Sequence, residues 1–297
     1  MKNVMTILMV AAVAASATGA DKKADDLIAQ ARAAIGGEKN VARVQGLSMV
    51  GTISRAMGDR TIGGELTVDM QLPDKMLRTD SISPMGDSVI VIQEQGFNGD
   101  TLLRFSKVSG AGPGMMIRTP PAPAAGSPEE AQQLRNSRAD FARLTIALLL
   151  APPKSMPVTF THAGEAESPD GKADVIDLKG EGSFAAKLFL DQQSHRPLMI
   201  SYRGVSPQIR VQTQTMQGPG GAGRGRGDAE GAHGDPGAQP APEPVDINMF
   251  LDDYRPVDGL MLPHHVMRAV DGKTTEEWTI KTIKVNPSFK PDTFTRR

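Results

Sequence analysis

The side chains able to do polar chemistry are few, and their spacing gives them little to work with. His264 and His265 are adjacent, so on a strand they point to opposite faces and cannot share one metal ion without distortion. His162 and His195 could meet a carboxylate such as Asp191 or Glu165, yet Asp191 to Arg196 reads as a polar turn between strands. Asp252, Asp253 and Asp258 offer oxygens to a calcium ion, but their spacing misses the helix-loop-helix calcium pattern, and Asp258 is committed to a turn. The chain carries no Gly-x-Ser-x-Gly elbow, no His-Glu-x-x-His zinc helix and no phosphate-binding glycine loop. The sequence therefore assigns no catalytic residue, no metal ligand and no cofactor. One hydrolytic reading survives, in which His195 or His264 pairs with a carboxylate; it requires a nucleophile within hydrogen-bond reach of either ring.

What the chain has in quantity is apolar side chains at strand spacing. Asp246 to Asn286 holds three strand-forming runs separated by Asp258-Gly259 and Asp271-Gly272. An Asp-Gly pair takes up the positive φ angles of a tight hairpin, so these runs are antiparallel neighbours in a β-meander. Ile247, Met249 and Leu251 alternate with Asn248, Phe250 and Asp252, and Leu66, Val68, Met70 and Leu72 alternate with Thr67, Asp69 and Gln71. Both patterns have the period of two that belongs to a strand with one apolar face. Further strands are expected at 47–53, 76–82, 88–95, 101–107, 157–165, 173–179, 185–191, 197–203 and 208–216. Turn signals such as Asn98-Gly99, Asp170-Gly171 and Ser206-Pro207 lie between them. Short strands without regular intervening helices favour one large antiparallel sheet over a parallel α/β arrangement.

Two helices are expected to accompany the sheet. Asp25 and Asp26 mark a helix N-terminus, Leu27, Ile28, Ala31, Ala34 and Ile35 form its stripe, and Gly36-Gly37 ends it. Ser127 as N-cap with Pro128 and two glutamates behind it starts a second helix, which Pro152-Pro153 stops. From Phe141 to Leu150 this helix is apolar nearly all round, so it must lie within the concavity of the sheet or shield a bound lipid.

The N-terminus reads as a secretory leader over residues 1–20: Lys2, a short apolar run from Val4 to Ala15, and small residues before Asp21. Residues 21–297 then form one domain, with Pro/Gly-rich insertions at 110–126 and 217–244 expected to be flexible. The absence of cysteine rules out disulfides, thiolate metal sites and a lipidated N-terminal cysteine. Lys plus Arg total 33 against 34 for Asp plus Glu, a net charge of −1. No basic field attracts nucleic acid, and the Arg224 to Asp228 stretch is too sparsely charged to change that.

The run Asp191-x-x-x-His195-Arg196-Pro197-Leu198-Met199-Ile200-x-Tyr202, and Asp253-Tyr254-Arg255-x-Val257-Asp258-Gly259-Leu260-x-Leu262-Pro263-His264, together with the exported helix ending in Gly-Gly, resemble the outer-membrane lipoprotein-sorting-like proteins, relatives of LolA and LppX. That resemblance implies a mostly β fold with a few helices: a large curved antiparallel sheet forming an incomplete, half-open β-barrel, with helices covering or plugging its concave face. It implies residence in the periplasm or outside the cell. It also implies a cavity for lipid acyl chains or a lipidated protein, an envelope or outer-membrane protein as partner, and peripheral membrane contact at most. The expected lining is Leu66, Val68, Met70, Met76, Val89, Val91, Leu103, Phe105, Phe141, Leu144, Leu148, Leu188 and Leu190. Its one weakness is register, since a slip of one residue reverses every inward assignment. The competing reading is an envelope interaction module whose cavity the second helix fills.

Overall fold

The computed structural model describes residues 17–84, 89–110, 122–169, 171–205 and 243–296, with side chains from residue 21 onward. The expected strand at 208–216, the leader through residue 16 and most of both insertions lie outside the described residues.

Twelve strands make one antiparallel sheet among the described residues. β1 (Gly46–Met57), β2 (Arg60–Gln71), β3 (Lys75–Ile82), β4 (Ile90–Asn98) and β5 (Thr101–Ser109) run as one meander. β6 (Val158–Ser168), β7 (Gly171–Gly180), β8 (Ala185–Asp191), β9 (Pro197–Gly204), β10 (Val245–Val257), β11 (Leu260–Val270) and β12 (Lys273–Val285) run as another. The two meanders join where β1 pairs with β12, with Leu47 opposite Val285 and Ile53 opposite Trp278. The order is β5-β4-β3-β2-β1-β12-β11-β10-β9-β8-β7-β6, and the sheet does not close on itself. Its two edges, β5 and β6, are consecutive among the described strands.

The Asp-Gly turns behave as their chemistry requires. Asp258 and Gly259 have φ of 47° and 80°, and Asp271 and Gly272 have 46° and 74°, positive at both central positions of each hairpin. The backbones come unusually close at the junction of the two meanders. The β1–β12 register slips between Val50 and Gly51, and a Cβ on Gly51 would stand 2.2 Å from the carbonyl oxygen of Thr279. Only glycine permits that contact.

Three helices accompany the sheet: α1 (Ala17–Ala34), α2 (Glu38–Ala42) and α3 (Pro128–Leu149). α1 begins eight residues before Asp25, the expected start: Ala17 to Lys23 contains no proline, and its one glycine, Gly19, costs only about 1 kcal/mol relative to alanine. α3 begins as its sequence dictates, with the Ser127 side chain accepting from the Glu130 amide. One hydrophobic core takes in both meanders, α1 and the second half of α3. Smaller apolar clusters lie on the outer face, one around Val175, Phe189 and Met199 and one where Phe294 covers Leu77 and Leu103.

Candidate functional site: a trough occupied by a helix

Strand register defines the inner face row by row. Leu47, Met70, Met76, Phe97 and Leu102 stand opposite one another from β1 to β5, and all five are buried. Two rows further along, the same face turns polar: Met49 and Val68 continue into Arg78, Gln95 and Arg104, and Leu66 continues into Asp80, Gln93 and Ser106. Ile53, Ile82, Val91 and Val108 then restore apolar character. The trough thus has an oily floor crossed by a polar belt on β3 to β5.

α3 lies in this trough. Phe141, Leu144, Ile146, Leu148, Leu149 and Leu150 are all buried, and Phe141 meets Phe97 edge to face at 5.4 Å. Toward β5, Arg104 donates to Gln133 at 3.0 Å, and Arg138 donates to the Gly99 carbonyl at 2.7 Å. Toward β9, Arg143 stacks 3.8 Å from the centre of the Tyr202 ring. The helix therefore bridges the two arms of the open sheet, and α1 completes the cover with Ala24, Leu27, Ile28 and Ala31 in the same core.

The polar belt centres on four ions that sequence reasoning missed. Arg78 donates Nε and Nη2 to the two oxygens of Asp80 at 2.8 and 2.9 Å, and Nη2 also reaches Glu276 at 2.9 Å. Arg55 donates Nη2 to Asp80 at 2.7 Å and to Glu276 at 2.8 Å. Trp278 donates its indole N–H to Glu276 at 2.6 Å. Burial alone would raise the carboxyl pKa of Glu276, but Arg78 and Arg55 outweigh it and hold it at about 2. Burial likewise opposes the charge on Arg78, while Glu276 and Asp80 hold its pKa above the usual value. The signal was legible: Arg78 and Asp80 occupy the inward positions of a strand whose neighbouring inward positions are Met76 and Ile82. A charge on an apolar face demands a partner.

Of the expected lining, Leu66, Val68, Met70, Met76, Val89, Val91, Phe141, Leu144, Leu148, Leu188 and Leu190 all belong to the main core. Leu103 and Phe105 do not. Leu103 packs on the outer face with Leu77 and Phe294, and the unbroken β4–β5 register puts Phe105, opposite Glu94, on that side too. Leu102 and Leu103 are adjacent apolar residues, so alternation cannot tell which points inward.

The histidines are dispersed. His264 is buried with Nδ1 3.1 Å from the Leu262 carbonyl, while His265 faces the other way and meets Glu277 at 2.6 Å. His195 sits in a turn at φ 56°, and His162 lies 3.6 Å from Asp174 beneath α1. The two sequence motifs interlock: the Tyr254 hydroxyl donates to the Pro197 carbonyl at 2.6 Å, and Arg196 lies 5.6 Å from the Tyr254 ring centre. Beside the start of α3, Leu102, Arg104, Pro123, Glu130 and Arg296 line a cleft of about 160 Å³, below the ~300–1,000 Å³ of ordinary ligand pockets.

Fold and site define an open antiparallel half-barrel whose trough is occupied by its own helix. No family model matches the sequence, and comparison with curated proteins gives no match. Among solved structures the chain is similar to a LolA superfamily protein from Nitrosomonas europaea. The identity is 12%, the TM-score 0.49, and the match covers 92% of this chain and 97% of that one. It is also similar to an outer membrane lipoprotein-sorting protein domain from Vibrio parahaemolyticus, at 8% identity and a TM-score of 0.43, covering 92% and 97%. A DUF1329 family protein from Desulfovibrio piger is a third, at 8% and 0.46, covering 93% and 97%.

Proposed function

We propose that this protein carries or senses a hydrophobic ligand in the cell envelope, a lipid acyl chain or a lipidated protein, and that α3 is a removable plug in its binding trough. The observation that carries this reading is the burial of a helical segment that is apolar nearly all round, Phe141 to Leu150, inside a sheet that is not closed. A helix that links the two edge strands and contacts both arms of the sheet can shift outward without breaking any strand pairing. The surface it would uncover includes Leu66, Val68, Met70 and Met76. An acyl chain taking over these contacts regains about 0.8 kcal/mol per buried methylene, against about 1.5–3 kcal/mol for each buried Leu, Ile or Phe of the helix, so a long chain, of about ten methylenes or more, is needed to offset them. After export the ligand is met in the periplasm and passed to an envelope partner, with no catalytic step. The full packing of the trough residues favours the competing reading, a docking module with a permanently filled core.

One experiment separates the two. The natural chain has no cysteine, so Arg104→Cys with Gln133→Cys places the only two thiols across the β5–α3 contact. These are joined with a short cleavable thiol cross-linker. Delipidated protein should take up a fluorescent fatty acid when uncross-linked, lose uptake when cross-linked, and recover it after cleavage. Uptake indifferent to the cross-link, or absent throughout, sinks the plug.

A further inference from the structure

Beneath α3 the polar belt continues beyond the ion quartet, and there the charges no longer balance. Arg268 of β11 stands opposite Glu276 across the sheet, but both Glu276 oxygens are already taken by Arg55, Arg78 and Trp278. Arg268 donates Nη2 to the Tyr202 hydroxyl oxygen instead, at 2.7 Å. Above that ring lies Arg143, whose guanidinium is also 5.3 Å from the centre of Phe184. Among the described residues the one carboxylate that Arg143 contacts is Asp140, at 2.9 Å, and the Asp140 side chain is 46% exposed. In the quartet and this corner taken together, Arg55, Arg78, Arg143 and Arg268 face Asp80, Asp140 and Glu276, an excess of one positive charge.

Two donors in this corner are unused. The Nε–H of Arg143 is buried with no hydrogen-bond partner among the described residues, although only 12% of that side chain is exposed. A desolvated donor without an acceptor is unfavourable and uncommon in a native interior. The Tyr202 oxygen accepts from Arg268, which leaves its own proton to give. Burial, then Asp140, push its pKa up to about 12, so the proton is present at any ordinary pH. On the same face the neighbours are apolar: Ile200 and Val266 are buried, and Met249 packs against the main core.

We propose that Arg143, Arg268 and Tyr202 form the headgroup site for an anionic amphiphile, a carboxylate or phosphate whose alkyl chain lies in the trough. The inference rests on the trough reading above and narrows its ligand. Two guanidiniums and a phenol give charge-assisted bonds to an anion, while a neutral lipid of the same chain length gains only the burial of its tail. Because Arg143 rides on α3 and Arg268 on the sheet, an anion between them needs α3 displaced enough to admit the tail yet still within reach of Arg268, which couples occupancy to the position of the helix.

The test is calorimetric titration of the delipidated chain with laurate, with glycerol monolaurate as the uncharged partner of equal tail, and with inorganic phosphate. The native protein should bind laurate about tenfold more tightly than monolaurate, the worth of one charge-assisted bond. Arg268→Gln and Tyr202→Phe should each remove most of that preference and leave monolaurate affinity unchanged. Equal affinity for the two lipids in the native chain, or equal loss for both in the variants, overturns the headgroup site and leaves the trough standing. Failure to bind either lipid overturns the trough itself. Binding of phosphate alone, abolished by the same substitutions, assigns the site to a free anion and overturns the amphiphile. Tyr202→Phe keeps the ring under Arg143, so a native melting curve for it shows that a lost preference is not lost folding.

Discussion

Arg32 clasps Leu150: its Nε and Nη2 both donate to the Leu150 carbonyl, at 3.1 and 2.9 Å. Leu150 is the left-handed cap of α3, at φ 55°, and helix ends leave carbonyls without partners. The end of α1 thus satisfies the end of α3, and the two helices that fill the trough are fastened to each other. The clasp also reaches Glu38 at 3.0 Å.

Arg32→Ala should lower stability by about 1.5–3 kcal/mol, the usual worth of hydrogen bonds from a charged donor, and loosen α3 in particular. Hydrogen exchange should accelerate at the amides of Leu144 to Leu149 more than in β1 or β12. A uniform acceleration across the sheet would show that the bond serves the whole fold rather than the helix.

The contact between Tyr254 and Pro197 makes a different prediction. Both residues belong to the motifs that resemble lipoprotein-sorting-like proteins, and in space they bind each other. Burial raises the Tyr254 hydroxyl pKa well above the usual value, consistent with a structural pin. Tyr254→Phe should cost about 1 kcal/mol in urea unfolding and leave fatty-acid uptake untouched. Reduced uptake at unchanged stability would give this residue a place in the site.

Sequence and structure agree where local chemistry decides the conformation and part where distant residues do. The Asp-Gly turns, the Ser127 cap and the alternation in β2 follow from neighbours a few positions away, and each stands where expected. Leu103 went to the wrong face because Leu102 beside it is equally apolar, and only the pairing of Phe97 with Leu102 settles the register. The ion quartet brings Arg55 within bonding distance of a residue 221 positions away. Its inward charges were visible in β3, but their partners were not. Whether a helix or a ligand fills the trough is a property of packing, to which the period of two is blind.

Adjacent glycines in β2 should respond oppositely to alanine. A Cβ on Gly64 would lie 2.2 Å from the Ser81 carbonyl oxygen, whereas one on Gly63 would meet nothing nearer than 3.9 Å. Neither has a positive φ, so space alone separates them. Gly64→Ala should destabilise by about 1–3 kcal/mol or more as backbone is forced apart, and Gly63→Ala should be neutral or slightly stabilising by restricting the unfolded chain. Equal midpoints in urea would mean that β2 and β3 are not held this close.

Acid should undo the belt before it undoes the oily core. The folded-state pKa of Glu276 is about 2 against an ordinary 4.5, so the folded form binds its proton less readily than the unfolded form. A group depressed in this way contributes stability that is complete above pH 4.5 and is lost as pH falls toward 2. That interval corresponds to about 3 kcal/mol. Urea midpoints measured from neutral pH downward should therefore fall through this window, and Glu276→Gln should flatten the fall. The same substitution should cost about 3–5 kcal/mol at neutral pH, because Arg55 and Arg78 would keep their burial and lose a counterion. If Glu276→Gln keeps the native acid dependence, the carboxylate is not the group being protonated. If it also keeps the native midpoint at neutral pH, the two arginines do not depend on it, and the account of the belt as a mutually neutralised quartet fails.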